Sequence, residues 1–128
     1  MECSLSIRVR YNECDPMGVV HHATYPIWFE MGRTELLRKQ GLSYKNIEEE
    51  GVYFVVSTLK VKYHAPARYD DELTLITKCI EQRKATLYHS YELKRGETLL
   101  TKGETFIACV DKNGQVQQIP SCINSICQ

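Results

Sequence analysis

The sequence predicts an α+β fold in which one long helix lies against a largely antiparallel, five-stranded sheet. Three observations carry that prediction. Residues 3–11 alternate apolar and polar, residues 23–40 form one long greasy helical run, and residues 52–111 read as four consecutive strand-like segments. Helix and strands are thus segregated after the first unit, which is the mark of an α+β chain rather than of a parallel α/β sheet.

The first strand places Cys3, Leu5, Ile7, Val9 and Tyr11 on one side and Ser4, Ser6, Arg8 and Arg10 on the other, a half-buried pattern. It stops at Asn12-Glu13-Cys14-Asp15-Pro16-Met17-Gly18, where Pro16 and Gly18 both favour a loop. The helix follows over about residues 23–40, with Thr24 as the expected N-cap and Gly41 as the stop. Tyr25, Ile27, Trp28, Phe29, Met31, Leu36 and Leu37 cover more than one helix face, so the helix is expected to be largely enclosed. Gly32 suits a close approach of this helix to the sheet. Residues 43–50 read as a short helix capped by Ser43 or Asn46 and ended by Gly51. Strands are then expected at 52–64, 72–82, 85–95 and 98–111, parted by Ala65-Pro66-Ala67, Arg83-Lys84 and Arg95-Gly96. Asn113-Gly114 marks a tight turn, and the patternless tail at 121–128 is expected to be mobile.

A chain of 128 residues and 14.8 kDa is the size of one domain, expected to span 1–128. Basic and acidic residues balance at 16 each, and both halves of the chain carry eight and eight. Binding to nucleic acid needs a positive surface that releases counterions from phosphate, and this balance argues against it. Apolar residues at 43% and charged residues at 25% exclude a disordered chain. Residues 1–8 lack the apolar run of a secretory leader, and no uncharged apolar stretch of membrane-spanning length follows. Six cysteines without a C-x-x-C pair predict free thiols in a reducing compartment, and hence a cytoplasmic protein. One helix covers one sheet face, so the other face needs cover, which a second subunit supplies most simply.

Chemistry-bearing groups crowd between residues 11 and 25. Asp15 either starts a turn before Pro16 or serves as a carboxylate that attacks an acyl carbon or takes a proton from water. The helix N-terminus behind it, near residues 21–25, offers backbone N–H groups to a developing oxyanion. His21 and His22 are candidate acids, bases or orienting donors, set against a surface and a core histidine. Cys14 is a candidate nucleophile set against a small buried thiol. No spacing among Cys14, Asp15, His21, His22, His64 and His89 matches a metal-ligand pattern. Glu30, between Phe29 and Met31, needs a partner if it is enclosed, with Arg33 one candidate; a buried structural pair is set against a catalytic role. Lys60 and Lys62 share one side of their strand, and Arg68 lies near a strand end; such cations form either a solvated face or a phosphate contact.

The run Asp15-Pro16-Met17-Gly18-Val19-Val20-His21-His22-Ala23-Thr24-Tyr25, continued by Phe29-Glu30-x-x-Arg33-Thr34-Glu35, resembles the hot-dog-fold acyl-CoA thioesterases. It is similar in particular to their 4-hydroxybenzoyl-CoA thioesterase and YbgC-like branch. The segment Val61-x-Tyr63-x-Ala65-Pro66-Ala67-Arg68-x-Asp70-Asp71-x-Leu73 matches that branch as well, and the resemblance covers about residues 5–120. It implies a curved sheet wrapped around the helix, sheets joined edge to edge in a homodimer, and dimers pairing into homotetramers. It further implies an active site at the dimer interface, where an acyl-CoA threads its pantetheine between subunits. Neither cofactor nor metal is implied. Asp15 stands where the family has its catalytic carboxylate, the His22 N–H where the thioester carbonyl is polarised, and Tyr11 and His22 where YbgC-like members have further catalytic side chains. Gly18, Val19, His21 and Tyr25 are then expected to line the substrate site, with Lys60 and Arg68 meeting the CoA phosphates. His21 replaces a frequent tyrosine or tryptophan, and Met17 a usual small residue; both positions bear on acyl specificity. The alternative reading is a non-catalytic module that binds acyl-CoA or acyl carrier protein. A 3-hydroxyacyl dehydratase of the same fold and a redox or metal protein are more distant rivals.

Overall fold

A computed structural model describes residues 1–123, 126 and 127. In chain order the elements are β1 (Glu2–Arg8), α1 (Thr24–Lys39), α2 (Tyr44–Glu49), β2 (Tyr53–Tyr63), β3 (Glu72–Gln82), β4 (Thr86–Arg95) and β5 (Thr98–Val110). Single 3-10 turns lie at Tyr11–Glu13 and Ser121–Ile123. All five strands join one antiparallel sheet in the order β1-β3-β4-β5-β2, which leaves β1 and β2 at the edges. The four later strands fall where their β-branched and aromatic runs predict them, with ends differing by one residue at most. The Asp111–Gly114 turn forms too, Asp111 Oδ1 accepting from the N–H groups of Asn113 and Gln115.

Helix α1 packs on the sheet through one stripe: Tyr25, Trp28, Phe29, Gly32, Arg33, Leu36 and Leu37 are buried. Ile27 and Met31 stand out at 58% and 42% exposure, so the expected enclosure on several sides is not achieved within one chain. Thr24 is the first helical residue rather than the cap, and its hydroxyl donates to the Glu13 carbonyl at 3.5 Å. The candidate enclosed pair is also corrected. Glu30 is exposed, whereas Arg33 is buried and donates to the Tyr91 hydroxyl at 3.1 Å. The stripe rotates Glu30 outward and Arg33 inward, because only the i, i+3, i+4 series centred on Phe29 meets the sheet.

Two glycines set the helix-to-sheet distance. A Cβ on Gly32 would overlap Thr77 Oγ1 and stand 2.9 Å from Leu75 Cδ2, and a Cβ on Gly103 would overlap the Phe29 ring. Phe29 instead lies flat on Tyr91, with ring centroids 4.3 Å apart and 11° between planes. The core divides into one cluster around Tyr25, Trp28 and Phe29 and a second around Leu36 and Leu37.

The tail departs from the sequence reading. Ile119, Ile123 and Ile126 are buried in the second cluster, and Gln40 Nε2 donates to the Ile126 carbonyl at 2.7 Å. The remainder of the tail, residues 124, 125 and 128, lies outside the described residues. This docking brings Cys127 to Cys79 on β3, their Cα atoms 4.8 Å apart, and the two form a disulfide closing 48 residues. The expectation of free thiols throughout is therefore overturned for this pair; Cys3, Cys14 and Cys109 are free. Cysteine count no longer speaks for a reducing compartment.

Gly32→Ala is expected to lower the unfolding free energy by about 1–3 kcal/mol, because the added methyl must push helix and sheet apart. Urea unfolding of the two proteins measures it; an unchanged midpoint would show that the helix does not pack this closely.

Candidate active site

The loop between β1 and α1 folds back on itself through backbone contacts. Asp15 N–H donates to the Val19 carbonyl and Gly18 N–H to the Asp15 carbonyl, both at 2.9 Å, while Cys14 and Val20 form an antiparallel bridge. Gly18 closes this turn with φ of 79°, a conformation that favours glycine. Asp15 Oδ1 accepts the Met17 N–H at 2.8 Å, so the turn-forming role is present. Oδ2 accepts no hydrogen bond among the described residues, and the side chain is half-buried. One carboxylate oxygen thus holds the loop, and the other is left without a hydrogen bond among the described residues.

The loop is pinned on two sides. Val20 N–H donates to the Ala67 carbonyl at 2.9 Å and Val19 bridges Arg68, tying it to the segment between β2 and β3. Glu13 ties it to the helix. Buried to 8% exposure, Glu13 accepts the Arg10 N–H at 2.8 Å and the Trp28 indole N–H at 2.9 Å. Its own carbonyl accepts the His21 N–H at 2.9 Å.

The backbone donors at the start of α1 are then accounted for one by one. His21 N–H is taken by Glu13, Ala23 N–H by the His21 ring Nδ1 at 3.0 Å, and Thr24 N–H by the His21 carbonyl at 2.9 Å. Among the described residues the His22 N–H donates to nothing. The His22 carbonyl, in the next peptide along, accepts the Tyr63 hydroxyl at 2.8 Å, which ties the helix start to β2. A free N–H at the positive end of a helix is suited to a developing negative oxygen.

The residues expected to act here are only partly gathered. His21 and His22 stack at 4.2 Å, and both are exposed. Tyr25 is buried; its hydroxyl accepts the Ala67 N–H at 3.4 Å and its ring meets Tyr63 edge-on at 5.1 Å. With Val20, His22, Tyr63, His64, Ala65 and Pro66, Tyr25 lines a pocket of about 250 Å³. Arg68 reaches the site through its bridge to Val19, and its guanidinium makes no ion pair among the described residues. Tyr11 is not drawn in: it is 80% exposed and stands edge-on to Tyr69. Lys60 lies on the other sheet face, lining a separate groove with Lys62, Glu92, Lys102 and Glu104. Cys14 directs its thiol to the Arg10 carbonyl at 3.8 Å rather than to a histidine. Sequence reasoning missed Glu13, Tyr63 and His64 as site residues. Glu13 did carry a signal, an acidic residue three positions after Arg10 at the start of a helical turn, where it reaches back to the Arg10 N–H.

The sequence profile of the thioesterase superfamily matches residues 17–102. The chain belongs to the thioesterase superfamily. The Escherichia coli acyl-CoA thioester hydrolase YbgC is 40% identical over 106 residues, 82% of this chain and 79% of that protein. A hypothetical protein of known structure from Thermus thermophilus is 35% identical with a TM-score of 0.92, covering 98% of this chain and 95% of that one. A DHNA-CoA thioesterase from Staphylococcus aureus is 28% identical with a TM-score of 0.88, covering 91% and 80%. The sheet and helix are thus the hot-dog fold that the sequence motifs imply, and the chain is a thioester hydrolase. No helix among the described residues is long and apolar enough to cross a membrane.

A second polar cluster lies under α1. Arg33, Tyr91, Thr105 and His89 are buried on the inner sheet face, Tyr91 Oη lying 2.7 Å from Thr105 Oγ1. His89 is pushed down to about 3 by burial and by the nearby Arg33 guanidinium. A dehydratase would set a histidine against a carboxylate; here the buried histidine faces a cation and stays neutral. Unfolding restores an ordinary imidazole, which binds a proton once pH falls below about 6.5. The unfolded chain then holds more protons, so this group removes stability as pH drops from about 6.5 toward 3. His89→Gln is expected to flatten that limb: between pH 7.5 and 5 the wild type loses about 2 kcal/mol more unfolding free energy than the variant. Urea titrations at the two pH values measure the difference, and parallel losses would mean that His89 is protonated in the folded core.

Proposed function

We propose that the chain hydrolyses acyl-CoA thioesters at the Asp15 loop, and the free His22 N–H carries this reading. The thioester oxygen accepts that N–H at the positive end of α1. Asp15, held by Met17 through one oxygen, uses the other in one of two ways. It attacks the acyl carbon, forming a mixed anhydride as the CoA thiolate leaves, or it takes a proton from the water that attacks. The His22 ring lies beside the donor, placed to orient that water. The identity with YbgC supports acyl-CoA as the substrate class, and an acyl group on carrier protein presents the same thioester. Arg68, unpaired beside Val19, is the cation assigned to CoA phosphates. Val20, Tyr25, Tyr63, Ala65 and Pro66 form an apolar wall for acyl atoms. CoA thioesters place the protein in the cytoplasm.

A second copy of the chain completes the site. Edge strand β2 exposes Val55, Val56, Leu59 and Tyr63 beside unpaired backbone, and Ile27 and Met31 of α1 are uncovered as well. Edge-to-edge pairing through β2 covers them and gives exposed Tyr11 a partner surface to enter, and dimers then associate in pairs. One domain of this kind spans 1–128.

Purified protein assayed for thiol release across short, long and aromatic acyl-CoAs tests the activity. Asp15→Asn is expected to reduce kcat by about 10²–10⁴ while KM and the melting temperature hold. Full activity of that variant on every substrate would remove Asp15 from the mechanism, and binding without turnover by the wild type would leave a non-catalytic module. In a single turnover in oxygen-18 water, label in the Asp15 peptide shows that the carboxylate attacks and that water opens the anhydride at the Asp15 carbon; a general base never acquires it. Leu59→Glu on the β2 edge is expected to yield a monomer by light scattering, with thiol release falling in parallel. A variant that stays oligomeric, or a monomer that remains active, would rule out a site shared through β2.

A further inference from the structure

We propose that Glu13 is a positioning residue for thioester hydrolysis, the clamp that holds the Asp15 loop at a fixed place against the helix start. This rests on the assignment of Asp15 and His22 to the reaction. Glu13 lies two residues before Asp15 and is 8% exposed. A carboxylate so enclosed persists only when its oxygens are satisfied. They are satisfied by both sides of the site. Oε1 accepts the Arg10 N–H at 2.8 Å, on the chain entering the loop. Oε2 accepts the Trp28 indole N–H at 2.9 Å, one turn into α1, and pairs with the Arg10 guanidinium at 3.3 Å. The main chain of the same residue also engages the helix start, its carbonyl accepting the His21 N–H at 2.9 Å and the Thr24 hydroxyl at 3.5 Å.

An apolar side chain in this place would fill the same volume, but it would not fix direction. Hydrogen bonds to Arg10 and Trp28 do fix it, because each loses its value with a small rotation. The consequence falls on the neighbours in sequence. With the His21 N–H occupied by Glu13, the next donor in line is the free His22 N–H. With Glu13 locked to α1, the Asp15 carboxylate two residues on is referenced to the same helix. Nucleophile or base and oxyanion donor are therefore set relative to each other through one buried carboxylate, without its touching the substrate. Misplacement by about 1 Å at such a pair reduces the rate by roughly a hundredfold.

The chain holds one tryptophan, Trp28, so its emission reports the clamp directly. Three variants test it: Glu13→Leu, Glu13→Gln and Trp28→Phe, each checked for folding by circular dichroism at the assay temperature. Glu13→Leu is expected to shift the Trp28 emission and to lower kcat about ten- to a hundredfold, with KM changing less than about twofold. Glu13→Gln, whose one amide oxygen can accept from the indole while its NH2 group meets the Arg10 N–H unpaired, is expected to give a kcat between those of wild type and Glu13→Leu. Trp28→Phe, which removes the helix-side link alone, should also lower kcat, and adding Glu13→Leu to it should cost less than Glu13→Leu costs in the wild type, since the two share that link. If Glu13→Leu does not fold, the Gln and Phe variants carry the same test. Wild-type kcat in a folded variant with shifted emission overturns the proposal, as does a loss confined to KM or a Gln variant as slow as Leu. Asp15→Asn run alongside separates the two ideas. An inactive Asp15→Asn with active Glu13 variants defeats the clamp alone, whereas an active Asp15→Asn defeats the assignment of the site and the clamp with it.

Discussion

Helix α1 lies where it does because glycine removes the side chain that would otherwise stand between helix and sheet, once on each partner. Gly32 on the helix seats against Thr77 and Leu75, and Gly103 on β5 accepts the Phe29 ring. The depth of this seating decides the rest. It lets Phe29 stack on Tyr91, carries Trp28 to Glu13, and sets the height at which the first helical turn meets the Asp15 loop. A small core with a single covering helix has few other contacts with which to fix that height.

The site follows as a problem in allocating backbone donors. Four consecutive N–H groups arrive at the start of α1, and Glu13 and His21 between them satisfy three. The peptide that carries the unsatisfied donor is held by its His21 carbonyl, which accepts the Thr24 N–H, and Tyr63 holds the next peptide at the His22 carbonyl. Asp15 divides its two oxygens in a similar way, one accepting from Met17 and the other without a hydrogen bond among the described residues. The loop thus holds its shape with some of its polar groups and leaves others unpaired beside the helix start.

Much of this was legible in the sequence, and the reasons differ by element. The strands declared themselves through β-branched alternation, and the Gly32 contact through a small residue in a bulky helix. Asp15, His21, His22 and Tyr25 were drawn together by motif, and all sit at one end of α1. What failed was whatever depended on which groups a fold satisfies. Glu30 faces out while Arg33 is buried on Tyr91, because position around the helix decides burial and hydropathy alone does not set it. Thr24 read as a cap but bonds to Glu13, eleven residues earlier in the chain. Cys79 and Cys127 meet because three isoleucines dock the tail, a long-range event with no local pattern. Lys60 lines a groove apart from the Asp15 loop because strand parity, rather than charge, decides which way it points.

That parity is itself set by a single residue. The pairing of β2 with β5 shifts between Val56 and Thr58, where Ser57 has no partner and donates its hydroxyl to the Phe106 carbonyl at 3.0 Å. Before the shift Phe54 and Val56 lie opposite the inward-facing Cys109 and Ile107; after it Leu59 and Val61 take over that phase, opposite Thr105 and Gly103. Were the two strands to pair without this bulge, the same sequence would turn Lys60 and Lys62 toward the helix and swing Tyr63 away from the His22 carbonyl. The extra residue absorbs that turn: with Ser57 deleted, Val56 and Thr58 would follow one another opposite Ile107 and Phe106, and Lys60 and Lys62 would stay opposite Glu104 and Lys102. A one-codon deletion is therefore neutral to the register at Ser57, whereas at a regular position of β2 it shifts the pairing by one residue.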